Sequence, residues 1–292
     1  MFPEAATNRI DLTVGRDVFL EAGSTVDLKG KGFVNRSGPG YKAAGTAHAG
    51  RNAVSTANYV GRVDRPDLPG SAGDGAGGGA VRIAAGGTLA LDGTITADAA
   101  DVGNGAGTSG AGGSVWLMAK LFVGSGSVSA NGGTAYGGTC GGGGRIAFVQ
   151  ETDGDLSAWR PLLTARGGKN QGGAVASGAG TVYLKAGRFA DVFVDNAGGE
   201  GVTAVPSPAD SKKTWRTARV TVSGGGDVQV LRDVKLRDLD LAAKTAKLHL
   251  NGKVLTIVEL THENRMGWLG TVTEDGGEIR WTGDKFYFFF VR

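Results

Sequence analysis

The sequence predicts an all-β chain: a right-handed parallel β-helix (a β-solenoid) with glycine-rich, polyproline-II-like segments packed alongside. Three observations lead there. Glycine supplies 54 of 292 residues, against roughly 7% in average proteins. The glycines gather in runs that stop abruptly at strand-like segments, as in Gly141-Gly142-Gly143-Gly144-Arg145-Ile146-Ala147-Phe148 and Gly77-Gly78-Gly79-Ala80-Val81-Arg82-Ile83. Two ladders then share one period. Ile83, Leu117, Phe148 and Leu184 recur at spacings of 34, 31 and 36, and Ile95, Val128 and Leu163 at 33 and 35. Self-similarity at such a period marks a repeat architecture in which stacked units bury a shared core.

The strands follow from alternation. Val26-Asp27-Leu28 and Leu89-Ala90-Leu91 each place two aliphatics on one face, and the runs are rich in Val, Thr and Ile with almost no helical period. Residues 17–30 align with 80–93 at a constant offset of 63, which suggests a double-length first repeat. The glycine runs 70–79, 103–113, 132–144 and 167–180 hold 26 glycines in 48 positions. Ordering so much glycine is entropically costly, so the runs are expected to gain close backbone approach; mobile surface loops are the alternative. Residues 34–69, with Pro39, Pro66, Pro69 and His48, read as an excursion suited to recognition.

The texture changes near residue 205. Residues 1–204 read as the glycine-rich solenoid. Residues 205–292 read as tighter coils with strands at Arg219–Val222, Val228–Val230, Val234–Leu236, Leu239–Leu241, Leu248–Leu250 and Val254–Ile257. Asn251-Gly252 forms a turn. The last segment, Glu278 to Arg292, is strand-like and aromatic; it is expected to cap the stack or dock on a next domain, with self-association through Phe286–Phe290 as a further expectation. With the opening Met1-Phe2-Pro3-Glu4-Ala5-Ala6, which lacks signal-peptide form, it suggests a piece of a larger protein.

Composition excludes several classes. Collagen's three-residue period is absent. Net charge is +3, from 31 basic and 28 acidic residues mixed along the chain, which gives no phosphate-tracking block and argues against nucleic acid. One cysteine, Cys140, forms no internal disulfide and reads as a small residue tolerated among glycines. No apolar run of membrane-spanning length exists, so no membrane span is expected.

These residues resemble the glycine-rich parallel β-helix repeats of large bacterial secreted and surface proteins. Gly112-Gly113-Ser114-Val115-Trp116-Leu117-Met118-Ala119 and Gly126-Ser127-Val128-Ser129-Ala130-Asn131-Gly132-Gly133 carry the likeness. A similar pattern marks the glycine-rich extracellular region of the anaplastic lymphoma kinase receptor family. The Leu248-His249-Leu250-Asn251-Gly252 stretch looks like filler coils of adhesin and autotransporter passengers. The resemblance spans about residues 15–200 and 215–260; it implies an extracellular or cell-surface location and transfers no catalytic residue.

The expected function is therefore a non-catalytic structural or adhesive module of an exported bacterial surface protein. A polysaccharide or another surface protein would be its partner, and no cofactor is expected. The alternatives are a carbohydrate-active β-helix, lyase or hydrolase, and a glycan-binding module. An enzyme would need two or three carboxylates, or a carboxylate with a cation, on one outer face. Register places Asp98, Asn131 and Arg166 in one such row, with a solvated outer ladder as the plainer reading. Asp98 with Asp101, Asp153 with Asp155, and Asp191 with Asp195 and Glu200 are further pairings. Trp116, between two inward positions, is the candidate glycan contact. An incidental calcium ion near Asp74 lacks the iterated repeat it would need. The three histidines, His48, His249 and His262, have no zinc spacing.

Overall fold

The computed structural model describes residues 9–43, 45–52, 58–103, 107–170, 177–258 and 267–282. Pairing is mostly parallel, but the strands fall into six separate sheets and do not close into the single right-handed β-helix that the repeats predict. The largest sheet has eight strands, in the spatial order Arg9–Val14, Ala80–Ala85, Ser114–Ala119, Arg145–Gln150, Thr181–Ala186, Phe189–Asp195, Ala218–Ser223, Asp238–Leu241. The expected aromatic cap at Phe286–Phe290 lies outside the described residues.

Within the first half both ladders hold. Ile83, Leu117, Phe148 and Leu184 are neighbours across parallel strands, as are Ile95, Val128 and Leu163. They belong to a first core lying between one face of the large sheet, the sheet Val18–Leu20, Thr88–Leu91, Leu121–Val123, and the sheet Thr25–Asp27, Thr94–Thr96, Ser127–Ser129, Leu163–Thr164. Phe148 lies within it, stacked on Phe122 at 4.8 Å and tilted to Trp159 at 5.3 Å. The 63-residue offset is not the pairing register: Val18 meets Leu89 and Val26 meets Ile95. Neighbouring short strands share the same glycine-turn pattern, so one strand's sequence mimics the next.

The break in the helix-like winding lies at Gly187-Arg188. Gly187 has φ +53, a left-handed conformation that glycine reaches at little cost. The two-residue link folds Phe189–Asp195 antiparallel onto Thr181–Ala186. The apolar face changes side with the reversal. Leu184 faces the first core, whereas Tyr183 and its partner Val192 face a second one with Val220, Val222, Leu239 and Leu241. That second core is closed by two sheets. One is ordered Thr271–Thr273, Lys247–His249, Asp227–Gln229, Val202–Ala204, Gly50–Arg51; the other Val234–Leu236, Val254–Ile257, Glu278–Trp281. One sheet thus carries a core on each face. Asn251 and Gly252, at φ +49 and +71, carry the chain from one of these closing sheets to the other.

Among the described residues, much of the glycine runs is packed rather than free. Their backbones bond to one another: Gly78 N–H to the Ala111 carbonyl at 3.0 Å, Gly112 N–H to Gly142 at 2.9 Å, Gly143 N–H to Gly178 at 3.0 Å. Residues 46–51 of the excursion insert into this layer. Gly142 N–H donates to the Thr46 carbonyl and Ala49 N–H to the Gly143 carbonyl. Part of the excursion is therefore internal: Ala47, His48, Ala49 and Val63 are fully buried.

Candidate functional site

The Asp98–Asn131–Arg166 row exists, and each member bonds to the next. Asp98 Oδ1 accepts from the Asn131 backbone N–H at 2.6 Å, and Asn131 Oδ1 accepts from the Arg166 N–H at 2.8 Å. Asn131 Nδ2 donates to Thr164 Oγ1 at 3.2 Å. The same device recurs at Asp17 to Thr88, Asp92 to Ser125, Asp101 to Thr134 and Asp233 to Val254. These side chains bridge one rung to the backbone of the next. Arg166 contributes its amide while its side chain is exposed. Asn131→Ala is expected to lose about 1 kcal/mol of stability, the net worth of such a bond. Asn131→Asp retains the acceptor, and Arg166→Ala changes stability by less than about 0.5 kcal/mol. Urea titration checks all three.

The structure brings together carboxylates that the sequence leaves in separate groups. Asp153, Asp155 and Asp191 line a cleft of about 520 Å³ with Leu156, Arg188 and Phe189. The Phe189 ring, 38% exposed, lies under the guanidinium groups of Arg188 and Arg237 at 4.5 and 4.8 Å. The two titratable environments diverge. Ser157, through its backbone N–H and then its hydroxyl, holds the Asp155 carboxyl below the ordinary range. Desolvation pushes Asp191 up, against the pull of Arg237 and Arg219. Opposed shifts in neighbouring carboxyls are how one site can hold both an acid and a base. Asp195 and Glu200 do not line this cleft; Asp195 pairs instead with Arg160 at 2.8 Å.

Trp116 does face away from the first core, between the buried Val115 and Leu117. Arg82 covers one face of its ring at 5.1 Å. The indole lines a groove of about 390 Å³ with Arg65, Tyr183, Lys185 and Lys213.

Beside this groove lies a buried polar knot. Arg145 is fully buried: Nε donates to the Val60 carbonyl at 3.0 Å and Nη1 to Thr181 Oγ1 at 3.0 Å. Desolvation lowers its pKa to about 10, with Asp210 and then Asp64 pulling it back up. Asp210 accepts from the Val63 and Ser207 amides at 2.8 Å each, and burial raises its carboxyl. His48 lies 3.3 Å from Ser114 Oγ; burial first, then Arg145, lowers its pKa to about 3. A neutral imidazole and a guanidinium thus tie the excursion to the strands that begin at Ser114 and Thr181, and Asp210 ties it to the segment after residue 205. The Arg145 position was readable: its neighbours in register are Ala80, Ser114 and Thr181, so a long cation stands where small residues are the rule.

The remaining candidates hold structural places. Asp74 pairs with Arg36 and accepts from Thr108 N–H at 2.7 Å. Cys140 is buried, with burial raising its thiol, which disfavours the reactive thiolate. His249 Nε2 lies 3.2 Å from Asp227 Oδ1, and His262 is outside the described residues. Among the described residues no group of three His, Cys, Asp or Glu side chains is placed to hold a metal ion, and no helix is long and apolar enough to cross a membrane. No family model, curated protein or solved structure matches this chain.

Proposed function

We propose that this chain is a non-catalytic structural or adhesive module of an exported bacterial surface protein, working outside the cell against a polysaccharide or another surface protein. One observation carries the scaffold reading. Outward carboxylates and amides, Asp98 and Asn131 among them, accept the backbone amides of the next rung, so the polar outer face serves the stacking itself. The interlocked glycine backbones support the same reading, since they make a stiff body from little side-chain volume. Trp116, which lines its groove, is the glycan contact within it. The exterior location rests on the repeat resemblance.

A polysaccharide array read for both binding and cleavage tests this. Binding that weakens in Trp116→Ala, with no new reducing ends, is the expected result. The cleft at Asp153, Asp155 and Asp191 favours a second reading, a carbohydrate-active site, because the Asp155 and Asp191 carboxyls are shifted in opposite directions. Chain cleavage that disappears in Asp191→Asn would move the function there.

A further inference from the structure

A third cleft, sharing no residue with the other two, is lined by five cationic side chains. Lys212, Arg216, Arg232, Lys235 and Arg280 surround about 290 Å³ with a single carboxylate, Asp233. Two walls supply them. On one, the short helix Lys212–Arg216 buries Trp215 and leaves Lys212 and Arg216 exposed. On the other, Lys235, Thr256 and Arg280 are aligned across three parallel strands. This register sets the Lys235 and Arg280 backbones roughly 10 Å apart, two strand spacings, with a hydroxyl-bearing residue between.

Some of these charges already have partners. Arg232 donates to the Asp210 carbonyl at 2.6 Å, Arg280 pairs with Glu278 at 2.9 Å, and Asp233 accepts from Val254 N–H. Among the described residues no acid pairs with Lys212, Arg216 or Lys235. Trp215, 1% exposed, closes the floor with its indole Nε1 buried and lacking an acceptor. Cations gathered in a concave site raise the local concentration of an anion.

We infer that this cleft is an oxyanion site for the sulfate or phosphate esters of an acidic glycan. Donors approach from opposite walls, which suits a tetrahedral group with oxygens in several directions better than a planar carboxylate. A nucleic acid is disfavoured, because the cleft's one aromatic ring is buried and no base can stack on it. The glycan carrier extends the binding-scaffold reading; the oxyanion site stands without it.

The test measures binding of dextran sulfate, neutral dextran, inorganic sulfate and single-stranded DNA to the full chain. The variant is Arg216→Gln/Lys235→Gln, and its charge-matched control is Lys120→Gln/Lys244→Gln; all four positions are exposed. The expected result is dextran sulfate binding that falls at least about tenfold in the variant and not in the control, with neutral dextran unbound. Competition by inorganic sulfate in the wild type alone supports the oxyanion site whatever its carrier. Equal loss in variant and control, or no loss, overturns the site. DNA binding that exceeds dextran sulfate and depends on the same two residues overturns the glycan carrier. Failure of the Trp116 groove on the array leaves these outcomes intact.

Discussion

Alanine at Gly142 is expected to destabilise the protein by about 3 kcal/mol or more, at or beyond the upper end of the usual cost of overpacking a core. A Cβ there would meet the carbonyl of Gly50, a backbone atom with no rotamer to yield. Nor is the carbonyl free to retreat. Gly142 N–H donates to Thr46, Gly112 N–H donates to Gly142, Gly50 N–H donates to Gly143 at 3.2 Å and His48 N–H donates to the Gly50 carbonyl at 3.2 Å, so both backbones are pinned from two sides. Gly141, whose Cβ would meet the Gly110 carbonyl, should behave alike. The control is Gly15→Ala, where nothing lies within 4 Å and the change should stay within about 0.5 kcal/mol. Equilibrium denaturation of the three variants decides it. Equal stability at Gly15 and Gly142 would mean that the glycine layer is loose in solution.

Acid should weaken this fold well above the pH at which ordinary carboxylates protonate, and His48 is the reason. Its pKa falls from 6.5 to about 3 because burial disfavours the imidazolium and Arg145 stands beside it. Below pH 6.5 the unfolded chain takes up a proton that the native state refuses. Stability is therefore whole above pH 6.5 and declines as pH falls toward about 3, at up to about 1.4 kcal/mol per pH unit from this one group. Asp210 works in the opposite sense. Its raised pKa means that the native state holds a proton more readily, so stability is regained as pH falls through that pKa. Comparison with His48→Gln separates the two. Wild type should lose more stability than the variant between pH 6.5 and 4.5, and parallel profiles would show that His48 is protonated in the folded state.

What could be read from residues alone follows the physics of alternation. The ladders through Leu117 and Val128 set the parallel register correctly, because a buried aliphatic every rung leaves only one pairing that keeps both faces satisfied. The strands after residue 218 were legible for the same reason. The hairpin at Gly187-Arg188 was not: among 54 glycines, one at a left-handed φ looks like any other, yet it decides which face holds the core. The cleft of Asp153, Asp155 and Asp191 depends on that hairpin, so it stayed out of reach too. The excursion misled through its polarity. His48 and Arg145 are buried because partners far along the chain, Ser114, Val60 and Thr181, receive them, and no local side-chain pattern announces those partners. The row Asp98–Asn131–Arg166 was found by register, but its use in amide capping required the geometry.

The tie between the excursion and the segment after residue 205 also orders events in time. Asp64 accepts from Thr214 across 150 residues of chain, and Gly61 from Ser207 across 146. Stacked repeats ordinarily grow by nearest-neighbour contacts and can begin anywhere. Here an early segment stays without its partners until the strand-reversing hairpin is made and the chain beyond it emerges. Loop closure on that scale slows folding. The first coils are therefore completed by a joint with residues 207–214, made only after the winding has reversed.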